Sequence, residues 1–350
     1  SFGVYPDVPL GIARKRRDEA RQLLADGIDP SHKRKAEKLA EGNTFRAIAT
    51  EWFELQEPRL APITFIKAKR MLENFIYPRI GDRPITKVTA PELLAALRKI
   101  EARGTHETAH RAKQRCGQIF RYAIATGRAE QDLSVHLRGA LAPVVSKNHA
   151  AVTDPGRVGE LLRAIAGYCG HPPTAYALKL APLTFVRPGE LRLAEWSEFD
   201  IDAHEWRIPA ERMMMREQHI VPLARQAAHL VRELKAISRN SKYLFPSLRS
   251  NVRPMSNNTV NAALRRLGYS HDEMTGHGFR TLASTLLNEQ GWHPDLIELQ
   301  LAHAERNKVR AAYNRAQRLP ERRKMMQVWA DYLDGLTSGA LIIPIRAARA

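Results

Sequence analysis

His277 and Arg280 stand three positions apart in the run TGHGFRTLASTLLNEQGW, a spacing that puts both on one face of a helix. Thr275 and Gly276 punctuate the entry, Leu282, Leu286 and Leu287 recur as its apolar positions, and Gly291 sits where a helix C-terminus wants positive φ. His303 follows in QLAH, Tyr313 lies ten residues further in NKVRAAYNRA, and Arg187 stands upstream in TFVRPGEL. Taken singly, each has an ordinary packing or surface role. Together, two guanidinium groups and an imidazole offer several fixed donors to one tetrahedral anion, and a tyrosine hydroxyl can attack its phosphorus. That is phosphoryl transfer built from positioning and charge. Free tyrosine ionises near ~10, so a cationic pocket would favour the attacking phenolate.

The ordered set Arg187, His277-x-x-Arg280, LAH ending at His303, and Tyr313 resembles the tyrosine recombinases, the phage-integrase family. The likeness is to integrases of prophages and genomic islands and runs over nearly the whole chain, including the segment around Tyr313. It implies that Tyr313 is the nucleophile and that Arg187 and Arg280 clamp the non-bridging oxygens. His277 is then a proton acceptor or phosphate donor, and His303 a second donor. It further implies a 3′-phosphotyrosyl intermediate, a free 5′-hydroxyl, and no metal, nucleotide or other cofactor. The implied partners are double-stranded DNA attachment sites, a homotetramer assembled on them, and accessory DNA-bending or excision factors, in a bacterial cytoplasm associated with the nucleoid. One position departs from the pattern. The family's hairpin lysine, which protonates the leaving oxygen, commonly lies seven residues before the Val of a VPL-like strand, and counting back from Val221 lands on Met214. A thioether has no proton to give.

Composition agrees without the resemblance. Fifty-five Lys plus Arg against 37 Asp plus Glu leave +18 over 350 residues, which favours a polyanionic partner, and 44% apolar content excludes general disorder. The length suits two or three domains with separate cores. No long apolar run marks a membrane span, so an acidic membrane surface trails nucleic acid as the partner. Two cysteines, Cys116 and Cys169, lack metal-ligand spacing and read as small core residues in a reducing compartment.

The expected fold is mainly α with a small antiparallel β-sheet, an α+β arrangement of a helical core-binding domain and a catalytic domain. Residues 1–42 read as the remnant of an arm-DNA-binding domain plus linker, with the end of a strand at 1–10, further chain upstream, and a basic helix at 11–26. Its Ala20, Leu23 and Leu24 form an apolar stripe beside Arg14, Lys15, Arg16, Arg17 and Arg21. A solvated basic helix explains the same pattern. Residues 43–140 hold four helices: one capped by Asn43 or Thr44 with Phe45, Ile48, Ala49, Trp52 and Leu55 inward, then 62–76, 91–103 and 105–125. The last carries Ala109, Ala112, Cys116, Ile119, Phe120 and Ala123 inward, with Gly127 as its stop. Arg111, Lys113, Arg115 and Arg121 are its DNA-binding candidates, against the alternative of a solvated face.

Residues 141–152 lose periodicity and read as a linker whose Lys147 and His149 either touch phosphates or are solvated. The catalytic domain spans 153–335, with short strands at 195–199, 205–209 and 219–223 and a helix at 260–267. Pro188 suits a first helical turn, and Glu190 is placed to hold Arg187 by a bidentate pair. Met325, Met326, Val328, Trp329 and Leu333 form a stripe that reads as intramolecular core, with docking on a neighbouring subunit as the family's alternative. A tail, 336–350, has no assigned role.

Two further classes compete with a recombinase. A type IB topoisomerase would relax supercoils without paired sites, and a regulator or decayed remnant would form no covalent adduct with DNA.

Overall fold

The computed structural model describes residues 6, 8–25, 29–30, 42–144, 149–213, 216–303 and 317–339. The chain divides into two compact units, Ser1–Ser146 and Lys147–Ala350.

The first unit opens with helix α1, Leu10–Ala25, none of whose residues is buried. Among the described residues no position of the expected stripe is buried, and Leu24 is 61% exposed. Among the described residues, the unit's core is formed by α2 Phe45–Gln56, α3 Pro62–Phe75, α4 Ala90–Glu101 and α5 His106–Ala125. Thr44 Oγ1 caps α2 by accepting from the Ala47 amide at 3.2 Å, which satisfies one of the N–H groups a helix start leaves orphaned. Phe45, Ile48, Ala49 and Trp52 enter the core as their spacing demands, while Leu55 is left half exposed. Helix α5 buries Ala109, Ala112, Cys116, Ile119, Phe120 and Ala123, and Gly127 beyond it adopts φ +69°. Cys116 is thus a core residue, whereas Cys169 lies exposed.

The second unit is built around α7, Pro172–Thr184, whose nine buried residues leave only Pro172, Ala175, Tyr176 and Lys179 on a partly exposed face. Burial that wide needs neighbours on several sides. They are α6 Pro155–Ala166, α9 Arg225–Ser238, α10 Thr259–Arg266, α11 Gly278–Glu289 and α13 Leu319–Ser338. Asp154 caps α6 through the Arg157 amide at 2.9 Å. Helix α13 packs mainly on α6, burying Met325, Met326, Trp329 and Leu333 in its own unit, and Trp329 Nε1 donates to the Pro182 carbonyl at 2.9 Å. The helix runs on to Ser338, so it crosses the expected tail boundary.

Between α8 (Pro188–Arg192) and α9 lies an antiparallel sheet of order β1-β2-β3: Phe199–Asp200, Glu205–Ile208 and His219–Pro222. The expected strand at 195–199 is displaced. Trp196–Glu198 forms a 3-10 turn because the Trp196 amide bonds to the Lys242 carbonyl, and Glu195 bridges Tyr243. The hairpin of β4 (Pro246–Ser247) and β5 (Ser250–Pro254) was not foreseen. Trp206 fills the sheet's inner face, stacked on Phe199 at 4.9 Å, with Nε1 donating to Glu198 at 2.8 Å. Arg323 from α13 and Arg207 both grip the buried Glu205, so the sheet is pinned to the last helix.

Candidate active site

Thr184 ends α7, and Phe185 beyond it turns left-handed at φ +40° while remaining fully buried. The turn releases the chain into Arg187 and α8, where Pro188 occupies the first helical turn. Glu190 does hold Arg187, though not by a guanidinium fork. One carboxylate oxygen takes the Arg187 backbone amide and the other takes Nη1, both at 2.9 Å.

Helix α11 begins at the TGHG turn. The Gly276 amide donates to Asn261 Oδ1 at 2.8 Å, and the Gly278 amide to Thr275 Oγ1 at 3.0 Å. Gly278 is required by a close approach: a Cβ there would stand 2.4 Å from the Ala150 carbonyl oxygen. The segment expected to be linker is therefore packed onto this turn from residue 149 onward, with Val152 buried in the second unit's core. His149 itself lies with its ring 4.3 Å from that of His277.

Arg280 is only 5% exposed. Nη1 donates to the Phe185 carbonyl at 2.9 Å, and Nη2 to the Leu301 carbonyl at 2.6 Å and to His303 Nε2 at 3.0 Å. Arg187 Nη2 donates to the Ala302 carbonyl at 2.9 Å. The buried His219 of β3 faces the Gln300 carbonyl through Nε2 at 3.2 Å. Three consecutive carbonyls at the end of α12 (Pro294–Gln300) thus serve His219, Arg280 and Arg187 in turn. Two of the carbonyls that orient the arginines, those of Phe185 and Ala302, belong to non-glycine residues at positive φ, +40° and +49°. Left-handed backbone at such residues costs about 1 kcal/mol or more and persists where surrounding contacts over-determine it.

Behind the carbonyls, Arg322 of α13 is buried without a carboxylate partner among the described residues. It donates to the Ile220 carbonyl at 2.6 Å and to Gln300 Oε1 at 2.7 Å. Burial pushes its guanidinium down to about 10. Burial, with Arg187 nearby, does the same to Arg280, again to about 10. His277 is lowered to about 4 by burial first and then by the charges of His149, Arg280, Arg187 and His303. His219 is lowered to about 3, chiefly by burial and then by Arg322. Both rings are therefore neutral imidazoles at pH 7.

Arg187, His277, Arg280 and His303 are brought together. Tyr313, Met214 and Lys147 lie outside the described residues. Arg212, which flanks Met214, is occupied: it pairs with the buried Glu198 and donates to the Glu190 carbonyl at 3.0 Å. In the first unit the four DNA-binding candidates do not share one face of α5. Arg111 and Arg115 lie on one side and Lys113 and Arg121 elsewhere, because a 3.6-residue turn separates them. Each is held locally, Arg111 by Glu107, Lys113 by the Leu137 carbonyl, Arg115 by Gln118 and Arg121 by Asp132.

Sequence reasoning missed Glu298, Gln300, His219 and Arg322. Glu298 and His303 are five apart across a helix end, a spacing that no helical face predicts. Arg322 sits in the run ERRK, which reads as solvent-facing.

This fold and this cluster define a tyrosine-type site-specific DNA recombinase, and the chain belongs to the phage integrase family. The model for the phage integrase family matches residues 152–319, that for the phage integrase central domain residues 45–140, and that for an arm DNA-binding domain residues 1–37. The integrase of Enterobacteria phage P4 is 44% identical over 352 residues, covering 95% of this chain and 80% of its own length. Prophage integrase IntA of Escherichia coli (strain K12) is 38% identical, covering 98% and 84%. In fold, a lambda integrase tetramer bound to a Holliday junction matches with TM-score 0.62 at 20% identity, over 89% of this chain and 88% of that one. Among the described residues no helix is long and apolar enough to cross a membrane.

Proposed function

We propose that this chain cuts and rejoins DNA at attachment sites through a 3′-phosphotyrosyl intermediate, integrating or excising a prophage or genomic island. Tyr313 Oη attacks the scissile phosphorus, the P–O5′ bond breaks, and the 5′-oxygen leaves with a proton. A 5′-hydroxyl from another strand then reverses the step, so the bond energy stays in the protein linkage. The observation that carries this reading is the convergence of Arg187, Arg280, His277 and His303 around one point, with both arginines oriented by backbone carbonyls. Among the described residues Arg187 retains its Nε–H and one hydrogen on each terminal nitrogen for a phosphate. Such preorganised donors act where charge develops in the transition state. His277 enters neutral and can accept the Tyr313 proton, and an arriving phosphate would offset the cationic neighbours that hold its basicity down.

The substrate follows from the relatives, which are named integrases, and from fold neighbours described as bound to DNA. Residues 43–140, with Arg111, Lys113, Arg115 and Arg121, and residues 153–335 would take the crossover duplex, Lys147 would reach a phosphate from the linker, and 1–42 would take arm sites. The active species would be a tetramer assembled on DNA, with accessory bending or excision factors setting direction. Met214 at the lysine position makes the enzyme slow, and a DNA-binding remnant is its limiting case. Plasmids carrying two attachment sites or one separate the classes. Recombinant product that requires both sites supports the proposal, whereas relaxation of supercoils on a one-site plasmid would make the protein a topoisomerase.

A further inference from the structure

We propose that Glu298 is a positioning residue that holds His303 with its proton on Nδ1 and so aims Nε2 into the phosphate site; the inference rests on the recombinase reading above. Arginine carries only donors, so the Arg280 Nη2–H that meets His303 Nε2 at 3.0 Å must find a lone pair there. The ring proton is therefore on Nδ1, and Nδ1 faces Glu298 Oε2 at 2.8 Å. The same two residues are joined a second time, the His303 amide donating to the Glu298 carbonyl at 3.1 Å. This doubled contact across five positions exists because Ala302 turns left-handed and folds the LAH segment back along α12.

The charges around the imidazole sharpen the case. Arg280 and His277 face it from α11, Arg187 reaches its neighbour Ala302 from the start of α8, and Glu298 comes from α12. Glu298 is the one carboxylate that touches the ring among the described residues, through the Nδ1 hydrogen bond. Its side chain is 54% exposed beside the proposed phosphate site. A carboxylate in that place repels DNA, so it weakens binding unless it serves the chemistry. The service is orientation. When a phosphate oxygen takes the place of Arg280's N–H, Nε2 must donate rather than accept, and the ring takes one proton from solvent to do so. Nδ1–H stays on Glu298, whose carboxylate faces the resulting cation.

The test compares Glu298→Ala and Glu298→Gln with the parent protein on nicked duplexes spanning the junctions of the DNA element that encodes the chain. Binding and single-turnover cleavage are measured separately. Glu298→Ala should cleave at least about tenfold more slowly, the lower end for an outer-shell partner, while its Kd is unchanged or tighter. Glu298→Gln keeps an acceptor for Nδ1–H and should recover part of that loss. In the free proteins, imidazole ¹⁵N shifts of His303 should report the Nδ1–H form for parent and Gln variant and a tautomer mixture for Ala. Cleavage by the Ala variant at the parent rate, a Kd that rises in step with lost cleavage, a Gln variant no better than Ala, or a parent ring protonated on Nε2 would each overturn the proposal. The ¹⁵N result stands whether or not the parent forms an adduct, so failure of the recombinase reading is seen separately.

Discussion

Arg322→Met removes the buried guanidinium that ties α13 to β3 and to the carbonyl row. Arg322 is 2% exposed and Gln300 fully buried, so water does not replace the lost bonds. The substitution strands the Ile220 carbonyl and Gln300 Oε1, each worth ~1–3 kcal/mol when buried and unpaired. Against that, it relieves a buried charge: burial lowers the Arg322 guanidinium to about 10, which corresponds to a desolvation cost on the order of 3 kcal/mol. The net loss is then about 1 kcal/mol. Gln300→Leu leaves the charge in place without two of its bonds, those from Nε at 3.1 Å and Nη2 at 2.7 Å, and should cost more, ~3 kcal/mol. The double variant removes both sides, so its loss should fall short of the sum by at least ~1 kcal/mol. Urea unfolding followed by tryptophan fluorescence measures all three, since Trp196, Trp206, Trp292 and Trp329 report the second unit. A coupling within about 0.5 kcal/mol of zero would refute the network. Cleavage should also fall about tenfold in Arg322→Met with DNA affinity kept, because the carbonyls that orient Arg187 and Arg280 lose their backing.

Acid should loosen the second unit early. His219 sits near 3 when folded and near 6.5 when unfolded, so below pH 6.5 the unfolded chain binds the extra proton and stability falls as pH drops, by about 2 kcal/mol at pH 5. His219→Gln, which keeps a donor for the Gln300 carbonyl, should flatten the thermal midpoint between pH 7 and 5, and an unchanged slope would contradict this. Met214→Lys should raise cleavage of ordinary DNA by at least ~10²-fold, and a substrate whose 5′-oxygen is replaced by sulfur should close the gap between the two proteins. Equal rates on ordinary DNA would mean that another residue supplies the proton. Binding should weaken steeply with salt, about −0.9 in log–log slope per neutralised duplex phosphate, and a nearly flat dependence would remove DNA as the partner of the basic surface.

What the sequence disclosed was what local chemistry decides. The helix start at Thr44 was legible because its side chain caps at a distance of three residues. The order of Arg187, His277, Arg280 and His303 was legible because one reaction needs those types together. The first strand was misplaced because an amide bond to Lys242, remote in sequence, turned Trp196–Glu198 into a 3-10 turn. Lys113 and Arg121 resembled a DNA-facing run, yet they answer to the Leu137 carbonyl and Asp132. The backing of the site escaped for the same reason. Backbone carbonyls carry no residue signature, and only the folded path shows that those of Phe185, Leu301 and Ala302 hold the arginines.

The central claim is that Tyr313 joins covalently to DNA, and the direct measurement is mass spectrometry of the peptide left on a nicked attachment-site duplex after denaturation and proteolysis. The account predicts a 3′-phosphotyrosyl nucleotide on the peptide holding Tyr313, and none from Tyr313→Phe, which should still bind the duplex. Adduct formation by the Phe variant, or a nucleotide found on Tyr332 or Tyr269, would place the nucleophile elsewhere and contradict the account.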